Sequence, residues 1–310
     1  MDGVLVIDKP AGITSHDVVS AVKKKLRAKK VGHLGTLDPA ATGVLPLVID
    51  GATRYARFFS SGQKEYLATM ELGVETDTLD ADGKVVGTKS TEGVTEDAVR
   101  EALGKFVGPI RQVPPMYSAV KKGGTPLYKL ARKGLTVERE AKEVEIFSIE
   151  VLDIALPLVT FNVACSGGTY IRTLCHDAGA LLECGAHLKE LRRTVSGAFL
   201  IDDSLELAVE PELLKESIIP IQAALGRALK EVELSADAAD KVDRGTTLIG
   251  LGDTQALAEK EMVILMRSSR LKAIASYKGD GVFKIEKLFS TGTVKILDET
   301  RKVRANDKLY

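Results

Sequence analysis

The chain has 310 residues, 45% of them hydrophobic and 28% charged, and its 43 basic residues balance its 43 acidic ones. This composition excludes a disordered or fibrous protein, and the length predicts roughly two folded units. The apolar run that precedes Lys9 and Pro10 is too short for a signal peptide or a membrane span. Three cysteines without a CxxC pair argue against a disulfide framework and against a zinc site, and they predict a cytoplasmic protein.

Charge is unevenly distributed along the chain. Residues 121–142 carry an excess of five positive charges, whereas residues 67–101 carry an excess of six negative charges. A second basic cluster lies within residues 23–30. Such asymmetry is typical of a protein with one side that faces phosphates. Charged runs that only solvate helices are an equally good interpretation at this point.

Hydrophobic patterns predict a sheet with flanking helices. In chain order, we predict a strand at 4–7, a helix opened by a capping box at Thr14, strands at 66–72, 144–154 and 158–165, and helices over 95–106 and from Ile171. A break follows at about 225–232. Short strands at 262–266, 272–277 and 283–288 then predict a small β-rich appendage.

The densest cluster of unusual residues lies at 31–46. Three glycines and two prolines fix the backbone there and present a single acid, Asp38, in front of a proline and near His33. A lone Asp-Pro most often caps a turn. We favour a functional role for Asp38 because catalytic groups concentrate on loops that a rigid scaffold holds.

Sequence signatures of nucleotide and metal sites are absent. The chain contains no P-loop, no dinucleotide-binding glycine motif and no HExxH motif. The acidic run of Asp77, Asp80 and Asp82 lacks the spacing of a calcium loop, and we interpret it as a solvated turn. His187 is expected to be packed or bonded to backbone, and the cysteines are expected to be core thiols. We therefore expect no metal site.

The remaining candidates are one prominent carboxylate, Asp38, with Tyr66, Tyr170 and Arg172 at the starts of predicted elements. With basic surfaces beside them, these residues suit covalent or electrostatic chemistry at a sugar or base of a polyanion.

Several ordered motifs carry a family resemblance. They are Asp8-Lys9-Pro10-Ala11-Gly12 with Thr14-Ser15-His16, GHLGTLDPAATGVLP from Gly32, Lys64-Glu65-Tyr66, Leu72-Gly73 through Asp80-Ala81-Asp82-Gly83, Pro114-Pro115-Met116-Tyr117-Ser118-Ala119, and CSGGTYIRTL followed by CGAHLKELRR. The chain closely resembles the bacterial tRNA pseudouridine-55 synthases of the TruB family over about residues 1–200.

The resemblance implies an α+β fold, with a mixed, mainly antiparallel sheet, flanking helices and a small β-rich C-terminal domain like a PUA domain. We expect a catalytic domain at 1–228 and an RNA-binding domain at 232–310. The implied activity is isomerisation of uridine 55 in the T-loop of tRNA. The uracil is detached from C1′, turned and rejoined through C5. The implied enzyme needs no cofactor, acts on the T-arm of tRNA without a membrane, and is monomeric.

The same resemblance assigns residues to this chemistry. It implies that Asp38 is the nucleophile, that Arg172 pairs with it and keeps it ionised, and that Tyr66 stacks on the flipped base and is placed for proton transfer. His33, Tyr170, Leu191 and Lys9 match positions that contact the substrate. The sequence leaves open whether Asp38 attacks C1′ or C6, or acts through a glycal.

Basic residues outside this cluster are expected to contact RNA phosphates. Within the insertion at 121–142, which we expect to clamp the T-loop, they are Lys121, Lys122, Lys129, Arg132 and Lys133. Near the C-terminus they are Arg301, Lys302 and Arg304.

Two other functions compete with this interpretation. A non-catalytic RNA-binding or RNA-chaperone protein on the same scaffold would need the basic surfaces but would have no use for Asp38. A glycosidase would need two carboxylates that flank one bond, and the loop at 31–46 offers only one.

Overall fold

A computed structural model describes residues 1–59, 62–251 and 257–289 of the chain. The chain divides into two compact units, Met1–Ala224 and a second unit that begins at Leu225. Within the described ranges, no helix is both long and apolar enough to cross a membrane.

The first unit contains fifteen strands among its described residues. They are β1 (Gly3–Lys9), β2 (Val31–His33), β3 (Thr42–Ile49), β4 (Lys64–Leu72), β5 (Val74–Thr76), β6 (Val85–Thr88), β7 (Gly108–Gln112), β8 (Lys121–Lys122), β9 (Thr125–Pro126), β10 (Lys142–Ala155), β11 (Leu158–Cys165), β12 (Ala186–Ser196), β13 (Phe199–Leu200), β14 (Leu205–Glu206) and β15 (Ile219–Pro220). The helices that accompany them are α1 (Ser15–Leu26), α2 (Glu96–Gly104), α3 (Leu127–Ala131), α4 (Ile171–Leu181), α5 (Pro211–Glu216) and α6 (Ile221–Ala228), which runs into the second unit.

One large sheet organises this unit. Its main path is β14-β1-β3-β12-β4-β11-β10-β7, with β2, β13 and β15 paired to strands of that path. Only β1 with β14 and β3 with β12 pair in parallel in this sheet, so it is mainly antiparallel, as predicted. The strands β5 with β6 and β8 with β9 form two separate ladders.

The core of the first unit lies between this sheet and the helices α1, α2 and α4. Strand β4 alternates strictly between buried and half-buried residues, and its inward face begins with Lys64 and Tyr66 and continues with apolar side chains. That alternation follows from the two-residue period of a strand. The polar start of this face is one edge of the site described below.

Helix α1 begins as its capping box predicts. The Thr14 hydroxyl accepts a hydrogen bond from the Asp17 amide at 3.1 Å, and the Asp17 carboxylate accepts one from the Thr14 amide at 2.8 Å. Such a box satisfies backbone donors that the first turn leaves without partners. The predicted strands and helices of residues 1–181 are confirmed, with small shifts at their ends.

The second unit is β-rich, as predicted. Its strands are β16 (Lys230–Glu233), β17 (Leu248–Gly250), β18 (Met262–Arg267), β19 (Arg270–Tyr277) and β20 (Val282–Leu288), and they form a sheet in the order β16-β18-β19-β20-β17. Helix α7 (Ala236–Asp243) places Ala239 and Val242 in the core with Phe283.

The predicted break at about 225–232 agrees with the start of the second unit at Leu225, although the backbone there is regular, with α6 continuing to Ala228 and β16 beginning at Lys230. The assignment of 1–228 and 232–310 as catalytic and RNA-binding domains stays a prediction. Arg301, Lys302 and Arg304 lie outside the described residues.

Candidate active site

Asp38 lies on the loop between β2 and β3, here called the Asp38 loop (residues 34–41). The Lys9 ammonium joins the residue that follows β1 to the second half of the Asp38 loop. Its Nζ donates to the carbonyl oxygens of Pro10 and Pro39, both at 2.9 Å, and to that of Ala41 at 2.7 Å. A lysine has three donors, so these bonds use all of them.

The expectation that Lys9 contacts the substrate stays a prediction. In the structure its side chain is completely buried and its three donors all bond to backbone carbonyls, so it holds the Asp38 loop. Burial lowers the pKa of Lys9 to about 8, although the nearby charge of Asp38 opposes this change.

Two further buried side chains tie the loop to the scaffold. The Ser15 hydroxyl donates to the carbonyl of Leu37 at 3.0 Å and accepts from its amide at 2.9 Å. The Arg193 guanidinium donates from Nε to the carbonyl of Val44 at 2.7 Å and from Nη2 to that of Gly35 at 3.2 Å. These contacts give the loop a single path, which is what a positioned carboxylate requires.

The guanidinium of Arg172, in the first turn of α4, is shared between two carboxylates. Its Nε lies 3.0 Å from Oδ2 of Asp38, and its Nη1 lies 3.0 Å from Oδ2 of Asp80. It also donates to the carbonyl oxygens of Thr78 at 3.1 Å and Tyr117 at 2.8 Å. Arg172 is only 4% exposed, so its orientation is fixed on every side.

Burial raises the pKa of Asp38 above its ordinary value. Arg172 lowers this pKa, as expected, but Asp80 raises it again and the net direction is upward. The side chain is still 41% exposed, so it remains open to solvent on one side although Arg172 contacts it. A substrate atom can approach the carboxylate from that open side.

The interpretation of the acidic run as a solvated turn was wrong for one of its members. Asp77 and Asp82 are exposed, but the side chain of Asp80 is only 15% exposed and contacts Arg172. Asp80 also accepts hydrogen bonds from the Thr78 hydroxyl and from the amide of Asp82. Asp80 lies in a motif that carries the family resemblance, but nothing in the sequence distinguishes its carboxylate from those of Asp77 and Asp82, so no role was predicted for it.

The aromatic candidates lie near Asp38. Tyr66 is 9% exposed on the inward face of β4, and burial raises its pKa, so it is protonated at neutral pH. Tyr170 caps α4 two residues before Arg172, and its amide donates to the side chain of Gln112 at 2.9 Å. Both tyrosines lie within electrostatic reach of the Asp38 carboxylate.

His33 and Leu191 lie on neighbouring parts of the sheet. His33 ends β2; its Nδ1 is buried without a partner among the described residues, and burial lowers its pKa. Leu191 on β12 pairs with Ala68 on β4 and is half-buried against the core. The geometry brings Asp38 and Arg172 into direct contact, whereas no hydrogen bond or ion pair within the described residues joins His33 or Leu191 to that pair.

Sequence reasoning also missed Arg193. Arg193 is adjacent to Arg192, and nothing in the sequence distinguishes the roles of the two arginines. Arg192 forms a bidentate ion pair with Asp8, at 3.0 and 2.6 Å. Arg193 points to the other face and is 2% exposed.

No group of three or more histidine, cysteine, aspartate or glutamate side chains in the described parts of the chain is arranged to hold a metal ion. Cys165, Cys175 and Cys184 are buried free thiols, and His187 contacts the carbonyl of Val74 at 3.1 Å, as expected for both.

The five basic residues predicted to contact phosphates lie apart from the Asp38 loop in sequence, on β8, on α3 and directly after it. Lys121, Lys122, Lys129, Arg132 and Lys133 are all exposed. Lys122 donates to the carbonyl of Glu138, and Arg132 lies over the ring of Tyr128, 5.6 Å from its centroid.

Comparison with known proteins agrees with this arrangement. Residues 23–171 match the family model of the TruB pseudouridylate synthase N-terminal domain, and residues 172–238 match that of the tRNA pseudouridylate synthase B C-terminal domain. The chain is 49% identical over 250 residues to tRNA pseudouridine synthase B of Geobacter sulfurreducens, covering 79% of this chain and 82% of the relative. It is 44% identical over 310 residues to the protein of the same name from Geotalea uraniireducens, covering 97% and 99%.

Solved structures give the same relationship. A chain in the crystal structure of a Cbf5-Nop10-Gar1 complex superposes with a TM-score of 0.71 at 30% identity, over 93% of this chain and 85% of that chain. An H/ACA RNP bound to a substrate RNA that contains 2′-deoxyuridine gives a TM-score of 0.68 at 27% identity, over 93% and 85%. The similarity extends well beyond residue 200, where the motifs alone ended. The chain belongs to the TruB family of pseudouridylate synthases.

Proposed function

We propose that this protein isomerises uridine 55 in the T-loop of tRNA to pseudouridine, with Asp38 as the nucleophile. The observation that carries the proposal is the contact between Asp38 and Arg172 on a loop that three buried side chains fix. The relatives named tRNA pseudouridine synthase B support the choice of tRNA.

The chemistry asks for one carboxylate whose open side faces the ribose and base of a flipped nucleotide. A base in a structured loop must leave its stack before a side chain can reach it. Asp38 then attacks C1′ or C6, or promotes cleavage through a glycal. Arg172 holds the carboxylate in one orientation and limits the rise of its pKa.

Aromatic and apolar residues around Asp38 would receive the base. We propose that Tyr66 stacks on the uracil, with its hydroxyl as a proton donor, since its raised pKa keeps it protonated. Tyr170, His33 and Leu191 would complete the pocket. The buried Nδ1 of His33, which has no partner among the described residues, is consistent with a contact to substrate.

We propose that phosphate contacts outside the pocket select the T-arm. The exposed basic residues of 121–142 would form a clamp on the T-loop, and the β-rich second unit would act as a PUA-like RNA-binding domain. We expect the enzyme to act as a monomer, because Asp38, Arg172 and Tyr66 all come from one chain. Buried free thiols and a tRNA substrate fit a cytoplasmic enzyme that uses no cofactor.

Release of the C5 hydrogen tests this function. A T-arm hairpin labelled with tritium at C5 of uridine 55 should lose its label to water when the full-length protein is added, because the isomerisation must break that bond. A hairpin labelled at another uridine is the control. Binding of the hairpin without release of label would instead support the non-catalytic RNA-binding or RNA-chaperone function on the same scaffold.

A further inference from the structure

Lys64, at the start of β4, is a buried cation that the chemistry described above does not use. It shares the inward face of that strand with Tyr66, and Lys64 as a whole is only 8% exposed. Within the described residues, no carboxylate forms an ion pair with Lys64 and no oxygen accepts a hydrogen bond from its Nζ. Most of the side chain is thus removed from water without a counter-charge, and such an arrangement costs stability unless the charge serves another function.

The groups that face Lys64 make its environment more positive. On β12, Arg193 is 2% exposed and lowers the pKa of Lys64; on β11, the thiol of Cys165 is neutral at physiological pH because burial raises its pKa to about 11. Ser196 pairs with Lys64 across β4 and β12, and its buried hydroxyl has no partner. Burial, with Arg193 adding to it, lowers the pKa of Lys64 to about 8, so the ammonium form dominates at pH 7.

The position of this positive pair relative to Tyr66 is set by the strand. Residues two apart on a strand project from the same face about 7 Å apart, and a lysine side chain is long enough to span that distance. Arg193 lies across from Tyr66 in the β4–β12 ladder, close enough for its positive charge to oppose the rise that burial causes in the pKa of the Tyr66 hydroxyl. A base stacked on Tyr66 would therefore present one edge to both cations.

We propose that the Lys64 ammonium, with the Arg193 guanidinium beside it, stabilises the negative charge that develops on the uracil when its bond to the ribose is cleaved. This inference rests on the proposed function. Cleavage of the C1′–N1 bond leaves the electron pair on N1, and the charge spreads over N1, O2 and O4 of the uracil anion. When C5 bonds to C1′, the C5 proton is lost and N1 takes up a proton, so atoms and electrons balance.

Negative charge on the base must be stabilised in each of the three routes open to Asp38. Attack at C1′ and passage through a glycal both release the uracil anion, while attack at C6 places the charge on the C5–C4–O4 enolate. In every route the base becomes more negative in the transition state than in the ground state. A fixed cation at its edge therefore accelerates the reaction instead of only tightening binding.

The test compares two leaving groups. T-arm hairpins with uridine or 5-fluorouridine at position 55 are incubated with excess full-length enzyme, and cleavage of the C1′–N1 bond is followed under single-turnover conditions as loss of the original nucleoside. C5 of 5-fluorouridine has no proton to lose, so this readout does not depend on the formation of pseudouridine. Fluorine withdraws electrons and makes the uracil anion more stable, so the anion depends less on stabilisation by a cation. The variants are Lys64→Met, which removes the charge, Lys64→Arg, which keeps it, and Ser196→Ala, which alters the same strand pair without changing charge.

Lys64→Met should slow conversion of uridine by about 100-fold, a loss typical of removing one stabilising donor from an anionic site. The loss on 5-fluorouridine should be at least about tenfold smaller, and the Kd of the hairpin should change less than about threefold. Lys64→Arg should retain most of the rate, and Ser196→Ala should match the wild type.

A second readout separates catalysis from a structural role. Because Lys64 is charged and unpaired, Lys64→Met should raise the midpoint of thermal unfolding while it lowers the rate. Equal losses on both hairpins, a loss confined to Kd, an unchanged rate, or a lowered unfolding midpoint would each overturn the inference. If the wild-type protein fails to convert uridine 55 at all, the proposed function fails, and the inference fails with it.

Discussion

Arg172 Nε and Asp38 Oδ2 lie 3.0 Å apart, although the arginine is almost completely buried and the carboxylate is 41% exposed. The arginine is therefore part of the scaffold, while the aspartate is accessible to solvent. In the proposed function the first residue supplies rigidity and the second reactivity, and substitutions at each position separate these two contributions.

Asp38→Asn should abolish turnover and leave the fold and tRNA binding nearly unchanged. The amide has almost the same shape as the carboxylate but cannot act as an anionic nucleophile. Single-turnover conversion of a T-arm hairpin and its Kd measure the two effects. Residual activity within about tenfold of wild type, which corresponds to roughly 1.4 kcal/mol in the barrier, would contradict the assignment of Asp38.

Arg172→Ala should reduce both activity and stability, because Asp38 and Asp80 lose their common counter-charge. The free energy of unfolding should fall by about 2 kcal/mol, less than for a fully buried pair, since water screens the exposed side of Asp38. Denaturant titration measures this change. Arg172→Lys should recover part of the stability but little of the activity, because an ammonium cannot bridge both carboxylates with one planar group. Unchanged turnover in Arg172→Ala would show that the pair does not serve catalysis.

Asp80→Asn should move the acid limb of the kcat/KM profile to lower pH. Catalysis needs the ionised form of Asp38, so the rate falls as pH falls through the pKa of that group. In the wild type this pKa lies above 3.8, because burial and the charge of Asp80 outweigh Arg172. Removing the charge of Asp80 removes one of the causes that raise it. A limb that stays in place, after each profile is scaled to its own maximum, would exclude this coupling.

Tyr66→Phe and Tyr66→Ala should differ in binding. Phenylalanine keeps the stacking face and loses only the hydroxyl, so the Kd of the hairpin should stay nearly unchanged while the rate of conversion falls. Alanine removes the ring from a 9% exposed position, and it should weaken both the fold and the binding of the hairpin. Equal losses of affinity in the two variants would contradict this division of roles.

Neutralising Lys121, Lys122, Lys129, Arg132 and Lys133 together should weaken tRNA binding and reduce its dependence on salt. Each phosphate contact releases counterions, so the slope of log K against log salt should become shallower by about 2 to 4. A matched control replaces exposed lysines of the acidic region, Lys84 and Lys89, and should leave the slope unchanged. If both sets of variants behave alike, residues 121–142 only solvate the protein surface.

The sequence by itself determined most of the secondary structure and indicated the Asp38 loop as the candidate site. The capping box at Thr14, the alternation in β4 and the helical stripe of α4 are local patterns with fixed periods, so they are visible without a fold. Asp38 was found for a similar reason, since glycines and prolines mark an unusual backbone wherever it lies in space.

Only the tertiary structure decided which charges meet. Asp80 looks like its solvated neighbours Asp77 and Asp82 until the hairpin of β5 and β6 brings it to Arg172. Lys9 carries a charge that suggests a substrate contact, but the fold surrounds it with three carbonyl oxygens. Electrostatic partners are set by distance in space, which sheet topology determines and local sequence does not contain. The unpaired charge of Lys64 is likewise a property of the fold, because burial and the absence of a partner within the described residues exist only after the strands have assembled.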